Sequence, residues 1–213
     1  MNKDKNLSTK TTFELAIQNH KDNNFQEAKK LYKEILITDS SNASVHNNLG
    51  AIYQLLGKSE KALNCFEKAI EINPNYVDAH NNAGVVVQSL GENQKAKNYF
   101  EKTIEINSNY SNGYFNLGNI YTILNEPQKA LSFYEKAIEI NPNFSVAQNN
   151  SGVILNRIGE TEKAINCYEK AIKINPNYAD AHNNLGTIYQ LLGKSEKAIN
   201  CFEKARDIKK INE

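Results

Sequence analysis

HNNLGAIYQLLGKSEKALNCFEKAIEINPNY, residues 46–76, returns as HNNLGTIYQLLGKSEKAINCFEKA at residues 182–205, which is 136 residues or four periods of 34 downstream. Over 46–69 and 182–205 the copies differ only at Ala51/Thr187 and Leu63/Ile199. The same 34-residue unit starts at Thr9, Ala43, Val77, Ser111, Ser145 and Ala179. A fixed period in this range means stacked supersecondary units, each touching its neighbours, rather than one closed core. The sequence therefore predicts an all-α array, with residues 1–8 as a flexible tail and 9–212 as the repeats (9–42, 43–76, 77–110, 111–144, 145–178, 179–212).

Each unit reads as two helices. Apolar or small residues fall at positions 3, 7, 10, 11 and 14, in the second unit Val45, Leu49, Ile52, Tyr53 and Leu56, a helical stripe. Position 15 is Asn23, Gly57, Gly91, Asn125, Gly159 and Gly193, the residues that best tolerate a left-handed helix end. A second helix follows, with Ala62, Phe66, Ala69 and Ile70 as its buried stripe and Pro74, Pro142 or Pro176 beyond its end in three units. Position 33, occupied by Asn75, Asn109, Asn143 and Asn177, is expected to cap the next first helix. Position 8 is Gly50, Gly84, Gly118, Gly152 and Gly186, and position 20 is Ala in all six units. Glycine inside a helix costs about 1 kcal/mol against alanine. Five of them in register predict a tight crossing of the two helices.

This pattern resembles the tetratricopeptide repeat (TPR). Unit two supplies Leu49, Gly50, Tyr53, Ala62, Phe66, Ala69 and Pro74, and unit six supplies Leu185, Gly186, Tyr189, Ala198, Phe202 and Ala205. The departures are His46, His80 and His182 at position 4 and Val87 and Leu155 at position 11. The resemblance implies an α-α superhelical solenoid of six helical hairpins whose first helices line a concave groove. Polar residues in the end repeats, among them Thr12, Asn19, Arg206 and Lys209, fit ends that meet water and point to a complete array.

Positions 2, 5, 6, 9, 12 and 13 should face that groove by helical spacing. Position 6 is Asn48, Asn82, Asn116, Asn150 and Asn184; position 5 adds Asn47, Asn81, Asn149 and Asn183; position 12 adds Gln54, Gln88 and Gln190. Each amide offers a donor and an acceptor, as an extended peptide backbone requires. These twelve residues are the expected peptide-binding set, with Phe13 and Phe115 as aromatic anchors. The asparagine ladder looks like the repeat region of peptide O-GlcNAc transferases. That resemblance implies, as an alternative, a substrate-recruiting segment of a glycosyltransferase or sulfotransferase system. The basic clamp by which some family members bind chaperone tails has no counterpart, since Lys10, Lys21 and Arg157 are the only bases at groove positions.

The expected function is a non-catalytic scaffold that binds another protein or a peptide segment. Net charge is +1, without the basic excess of a nucleic-acid binder, and no apolar run reaches the length of a membrane span. There is no nucleotide loop, HExxH or GxSxG, so neither enzyme activity nor a cofactor is expected. Cys65, Cys167 and Cys201 occupy one repeat position rather than a ligand cluster, so no metal site is expected. The N-terminal residues lack a signal sequence, which places the expectation in the cytoplasm. The interchangeable faces of units two and six add weak self-association to the expectations.

Overall fold

The protein is represented by a computed structural model describing residues 2–211, with side chains described from Lys10 to Ile211. Among the described residues there are twelve α-helices and no strand, as the period predicts. They form two compact units, residues 1–108 and 109–213. The first holds α1 (Asn2–Lys21), α2 (Phe25–Thr38), α3 (Ala43–Leu55), α4 (Ser59–Ile72), α5 (Val77–Ser89) and α6 (Asn93–Ile106). The second holds α7 (Ser111–Ile123), α8 (Pro127–Ile140), α9 (Ser145–Arg157), α10 (Thr161–Ile174), α11 (Ala179–Leu191) and α12 (Ser195–Ile211). Odd-numbered helices are the first helix of each hairpin, even-numbered the second. The backbone of residues 2–8, expected as a tail, is the start of α1, and their side chains lie outside the described set.

The hairpin turns form as position 15 predicts. Asn23, Gly57, Gly91, Asn125, Gly159 and Gly193 all have positive φ, between 57° and 85°. In the α3–α4 turn Gly57 N–H donates to Gln54 O at 2.9 Å and Lys58 N–H to Tyr53 O at 2.8 Å. This paired arrangement satisfies carbonyls the helix end would otherwise leave open. A Cβ at Gly91 would meet no atom within 4 Å, so its cost is backbone strain alone. Gly91→Ala is expected to lower the unfolding free energy by about 1–2 kcal/mol. An unchanged urea midpoint would show that the turn does not need the left-handed conformation.

The expected cap at position 33 is wrong. The residues before the first helices are Tyr76, Tyr110, Phe144 and Tyr178, none with a side-chain cap bond. Among the described residues that precede first helices, Asn42 alone caps with its side chain, accepting from Val45 N–H at 3.1 Å. The asparagine one residue earlier than proline bonds within the loop and not to the helix: Asn73, Asn141 and Asn175 Oδ1 accept from the N–H of Asn75, Asn143 and Asn177 at 3.1–3.2 Å. Histidine closes the same loop from the helix side. His80 and His182 Nε2 lie 2.9 and 3.0 Å from Pro74 O and Pro176 O, so those rings carry their proton on Nε2. Position 4 is thus a packing residue and a loop staple together.

Packing inside a hairpin centres on position 24. Phe66, Phe100, Tyr134 and Tyr168 are at most 2% exposed, each with its ring against the glycine at position 8 of its own repeat. Alanines at position 20 are buried in all six repeats. Between repeats, Phe66 and Ala62 meet Ala83 and Val86 in the first unit, and Tyr134 and Ala130 meet Ile154 in the second.

Candidate functional site

The first helices of successive repeats lie side by side, α3 against α5 and α9 against α11. Their asparagines divide into two kinds. At position 5, Asn47, Asn81 and Asn149 are buried, while Asn183 in the last repeat is half-buried. At position 6, Asn48, Asn82, Asn150 and Asn184 are half-buried and Asn116 is buried. Asn82 Nδ2 donates to Asn47 Oδ1 at 3.1 Å, and Asn184 Nδ2 donates to Asn149 Oδ1 at 3.0 Å. The position-6 amide of one repeat therefore hangs on the position-5 amide of the repeat before. A ligand can use only the capacity this link leaves over.

In the second unit the links run in series. Asn184 donates to Asn149, Asn149 Nδ2 to Asn150 Oδ1 at 3.3 Å, and Asn150 Nδ2 to Asn119 Oδ1 at 3.2 Å. Tyr134 Oη–H also donates to Asn119 Oδ1, at 2.8 Å. Asn184, Asn149, Asn150 and Asn119 are thereby each held in one orientation. Chains of this kind polarise each member and strengthen the whole.

Of the position-12 glutamines, Gln54 and Gln88 are half-buried and Gln190 is exposed, with no side-chain hydrogen bond drawing them into the core. The aromatic candidates are packing residues. Phe13 sits 6.1 Å from Tyr32, and Phe115 lies 5.9 Å from Tyr134 and 4.9 Å from Phe144, centroid to centroid. What the amide pattern does not disclose is the apolar share of this face. Leu55, Ile123 and Leu191 at position 13 are 62%, 54% and 77% exposed, and Val153 at position 9 is 41% exposed. Three branched aliphatics at position 13 were the available signal.

Asn119, Thr122, Tyr134 and Asn150 line a cavity of about 260 Å³ with Ile123 and Val153 at its sides. Thr122 Oγ1 is 3.0 Å from Tyr134 Oη and also donates to Gly118 O at 2.9 Å. Burial raises the Tyr134 phenol above its ordinary value, against the opposing hydrogen bonds of Thr122 and Asn150, so the hydroxyl is neutral at physiological pH.

Buried acids of this kind predict alkaline sensitivity. Burial pushes Cys65 up to about 11 and Tyr168 up to about 12. It also raises Tyr32, Cys167 and Tyr178. An unfolded thiol ionises near about 8.5 and a phenol near about 10. The folded chain keeps protons that the unfolded chain releases, so this stabilisation is complete below the lower values and is lost as pH rises toward the folded ones. The urea midpoint followed by circular dichroism should hold from neutrality to about pH 8.5 and fall steadily above it. A flat profile to pH 11 would contradict the raised values.

No group of three or more histidine, cysteine or carboxylate side chains is placed to hold a metal among the described residues, and no helix there is long and apolar enough to cross a membrane. The tetratricopeptide repeat profile matches residues 43–76, 111–144 and 179–210. Two further profiles of the same repeat match 65–98 with 133–166, and 152–193. Among solved structures, the chain is similar to MamA at 25% identity and TM-score 0.67, covering 77% of this chain and 96% of that one. It is similar to YrrB, described as a TPR protein with an unusual peptide-binding site, at 26% identity and TM-score 0.64, covering 83% and 91%. PilF of Pseudomonas aeruginosa, at 18% identity and TM-score 0.84 over 92% of this chain and 89% of that one, shares the fold. No curated protein matches by sequence. Repeat period, buried glycine–aromatic pairs and profile matches agree, and the chain belongs to the tetratricopeptide-repeat family.

Proposed function

We propose that this chain is a non-catalytic scaffold that binds an extended polypeptide segment along the concave, asparagine-lined faces of its first helices. The observation that carries the reading is chemical neutrality combined with fixed amide orientation. Positions 6, 9 and 12 of repeats two to six hold no ionisable side chain, while Asn82, Asn150 and Asn184 are each held by a neighbouring amide. A surface of uncharged, oriented donors and acceptors suits peptide groups, which every polypeptide presents at regular intervals. Peptide binding by YrrB, as its description gives it, supports the same reading for a similar fold.

Magnitudes decide what else is needed. Hydrogen bonds at about 1 kcal/mol each do not by themselves offset an association cost of about 4–15 kcal/mol. The exposed Leu55, Ile123, Val153 and Leu191 supply the missing apolar contact. Burying one such side chain contributes roughly 1.5–3 kcal/mol.

The test compares the wild-type chain with a variant carrying Gln54→Ala, Leu55→Ser, Gln88→Ala, Gln190→Ala and Leu191→Ser. These positions leave the amide links intact, so the circular dichroism and melting of the two proteins should agree. Pull-down from the source lysate is followed by titration of peptides tiled from each captured protein. Peptides that bind the wild type and lose about tenfold or more with the variant support the reading. Equal affinity for both proteins would remove these faces from consideration.

A further inference from the structure

Repeat four breaks the pattern of the others in two places that meet in space beside a tyrosine. Position 9 is Asn119 where the other repeats have Ile17, Ala51, Val85, Val153 and Thr187, and position 12 is Thr122 in place of a larger side chain; both lie beside the position-24 residue Tyr134, a tyrosine shared with Tyr32 and Tyr168 of repeats one and five. In the first unit the equivalent places in repeats two and three pair Ala51 with Phe66 and Val85 with Phe100, which offer no polar group. The cavity of about 260 Å³ at Asn119, Thr122, Tyr134 and Asn150 is therefore a local feature of repeats four and five.

Its hydrogen-bond inventory is uneven in a specific way. Asn119 Oδ1 is filled by two donors, Tyr134 Oη–H at 2.8 Å and Asn150 Nδ2 at 3.2 Å. The Asn119 Nδ2 group has no protein partner and remains a donor of two hydrogens. On the opposite side, Thr122 and Tyr134 bring two hydroxyl protons to three contacts: Gly118 O, Asn119 Oδ1 and the 3.0 Å approach of the two hydroxyls to each other. The contact between the two hydroxyls therefore holds no proton of its own; Asn150 already serves Tyr134, and the lone pair left on the Thr122 side of the pair can accept an incoming N–H. The pocket thus asks for one acceptor and one donor on a single small group, flanked by the aliphatic walls of Ile123 and Val153.

We propose that this pocket is a specificity site for a primary carboxamide on an aliphatic stem, the side chain of glutamine in a bound polypeptide. The carboxamide oxygen accepts from Asn119 Nδ2, its NH₂ donates to the Thr122–Tyr134 oxygen pair, and its methylenes lie between Ile123 and Val153. Glutamate is rejected, because a carboxylate brings no donor to the hydroxyl pair and no cation lines the pocket. Methionine fits the walls but leaves the polar groups desolvated and unpaired. The assignment rests on the polypeptide-binding reading above and adds the residue that repeats four and five select.

The test uses the full-length ¹⁵N-labelled chain titrated with N-acetyl-L-glutamine N-methylamide, its glutamate counterpart and its methionine counterpart. Side-chain amide signals of Asn119 and Asn150 are followed, assigned by their loss in Asn119→Ser and Asn150→Ser. The glutamine compound should shift both and saturate with a dissociation constant on the order of millimolar, the scale for so small a ligand. The other two should bind about tenfold or more weakly. Thr122→Val, which keeps the volume and removes the hydroxyl, should remove the preference for glutamine over methionine. No saturable shift at Asn119, or equal binding of all three compounds, overturns the assignment while the tiled-peptide result stands on its own. Saturation at Asn119 without any captured polypeptide upholds the carboxamide pocket and fails the broader reading instead.

Discussion

Gly84→Ala is expected to weaken the fold of the wild-type chain and to strengthen it once Phe100 has been cut back to alanine. A Cβ built on Gly84 lies 2.5 Å from Phe100 Cε1 and 2.8 Å from Cδ1, well inside contact distance. Phe100 has no exposed surface, so the ring has little room to retreat. Overpacking of this kind costs about 1–3 kcal/mol. Against it stands the helix preference of alanine over glycine, about 1 kcal/mol. Steric cost wins in the wild type, by a margin of up to about 2 kcal/mol. Phe100→Ala alone should cost about 3–5 kcal/mol through the cavity it leaves. In that background the clash is gone and only the propensity gain remains, so the sign of Gly84→Ala reverses. Four proteins unfolded in urea under one condition complete the cycle, with an expected coupling of about 1–3 kcal/mol. The same sign in both backgrounds would sink the argument. The geometry recurs at Gly50 on Phe66, Gly118 on Tyr134 and Gly152 on Tyr168, so the cycle tests the rule that sets the helix crossing throughout the chain.

That crossing was readable before any coordinates, because its cause is local and repeated: Gly at position 8 and an aromatic at 24 return every 34 residues. The turns at Gly57 or Asn125 were readable for the same reason, since only a few residue types accept positive φ. The cap was misread because asparagine occupies both position 31 and position 33, and propensity cannot say which of the two bonds the backbone or whether that backbone belongs to the loop or the helix. Position 31 won: Asn73, Asn141 and Asn175 bind the backbone two residues on. The split between positions 5 and 6 was hidden for a related reason. Adjacent residues on a helix point about 100° apart, and which of them meets the preceding repeat depends on how the helices pack. The pocket of repeat four was hardest to see. Asn119 and Thr122 look like noise in the repeat until Tyr134 and Asn150 are brought beside them.

Asn149→Ala should cost about 2–3 kcal/mol of stability, whereas Gln190→Ala should stay within about 0.5 kcal/mol, although both are amides of the same expected set. Asn149 is 5% exposed, accepts from Asn184 at 3.0 Å and donates to Asn150 at 3.3 Å. Its removal strands a donor on Asn184 and an acceptor on Asn150, each costing about 1–3 kcal/mol when fully buried and less here because both neighbours are half-buried. Alanine recovers part of this through its better helix propensity, up to about 0.7 kcal/mol. Gln190 is exposed and holds nothing in place. For a chain of this size the first change should lower the melting temperature by roughly 4–12 °C and the second by less than about 2 °C. Binding should sort the same residues differently. Gln190→Ala should reduce polypeptide affinity with the fold intact, while a loss caused by Asn149→Ala should follow its loss of stability. If Asn149→Ala melts like the wild type, the position-5 amides are not supports. The position-6 amides would then be oriented by something other than the links at Asn47 and Asn149. The contrast separates an amide that builds the face from an amide that uses it, which a count of asparagines along the groove cannot do.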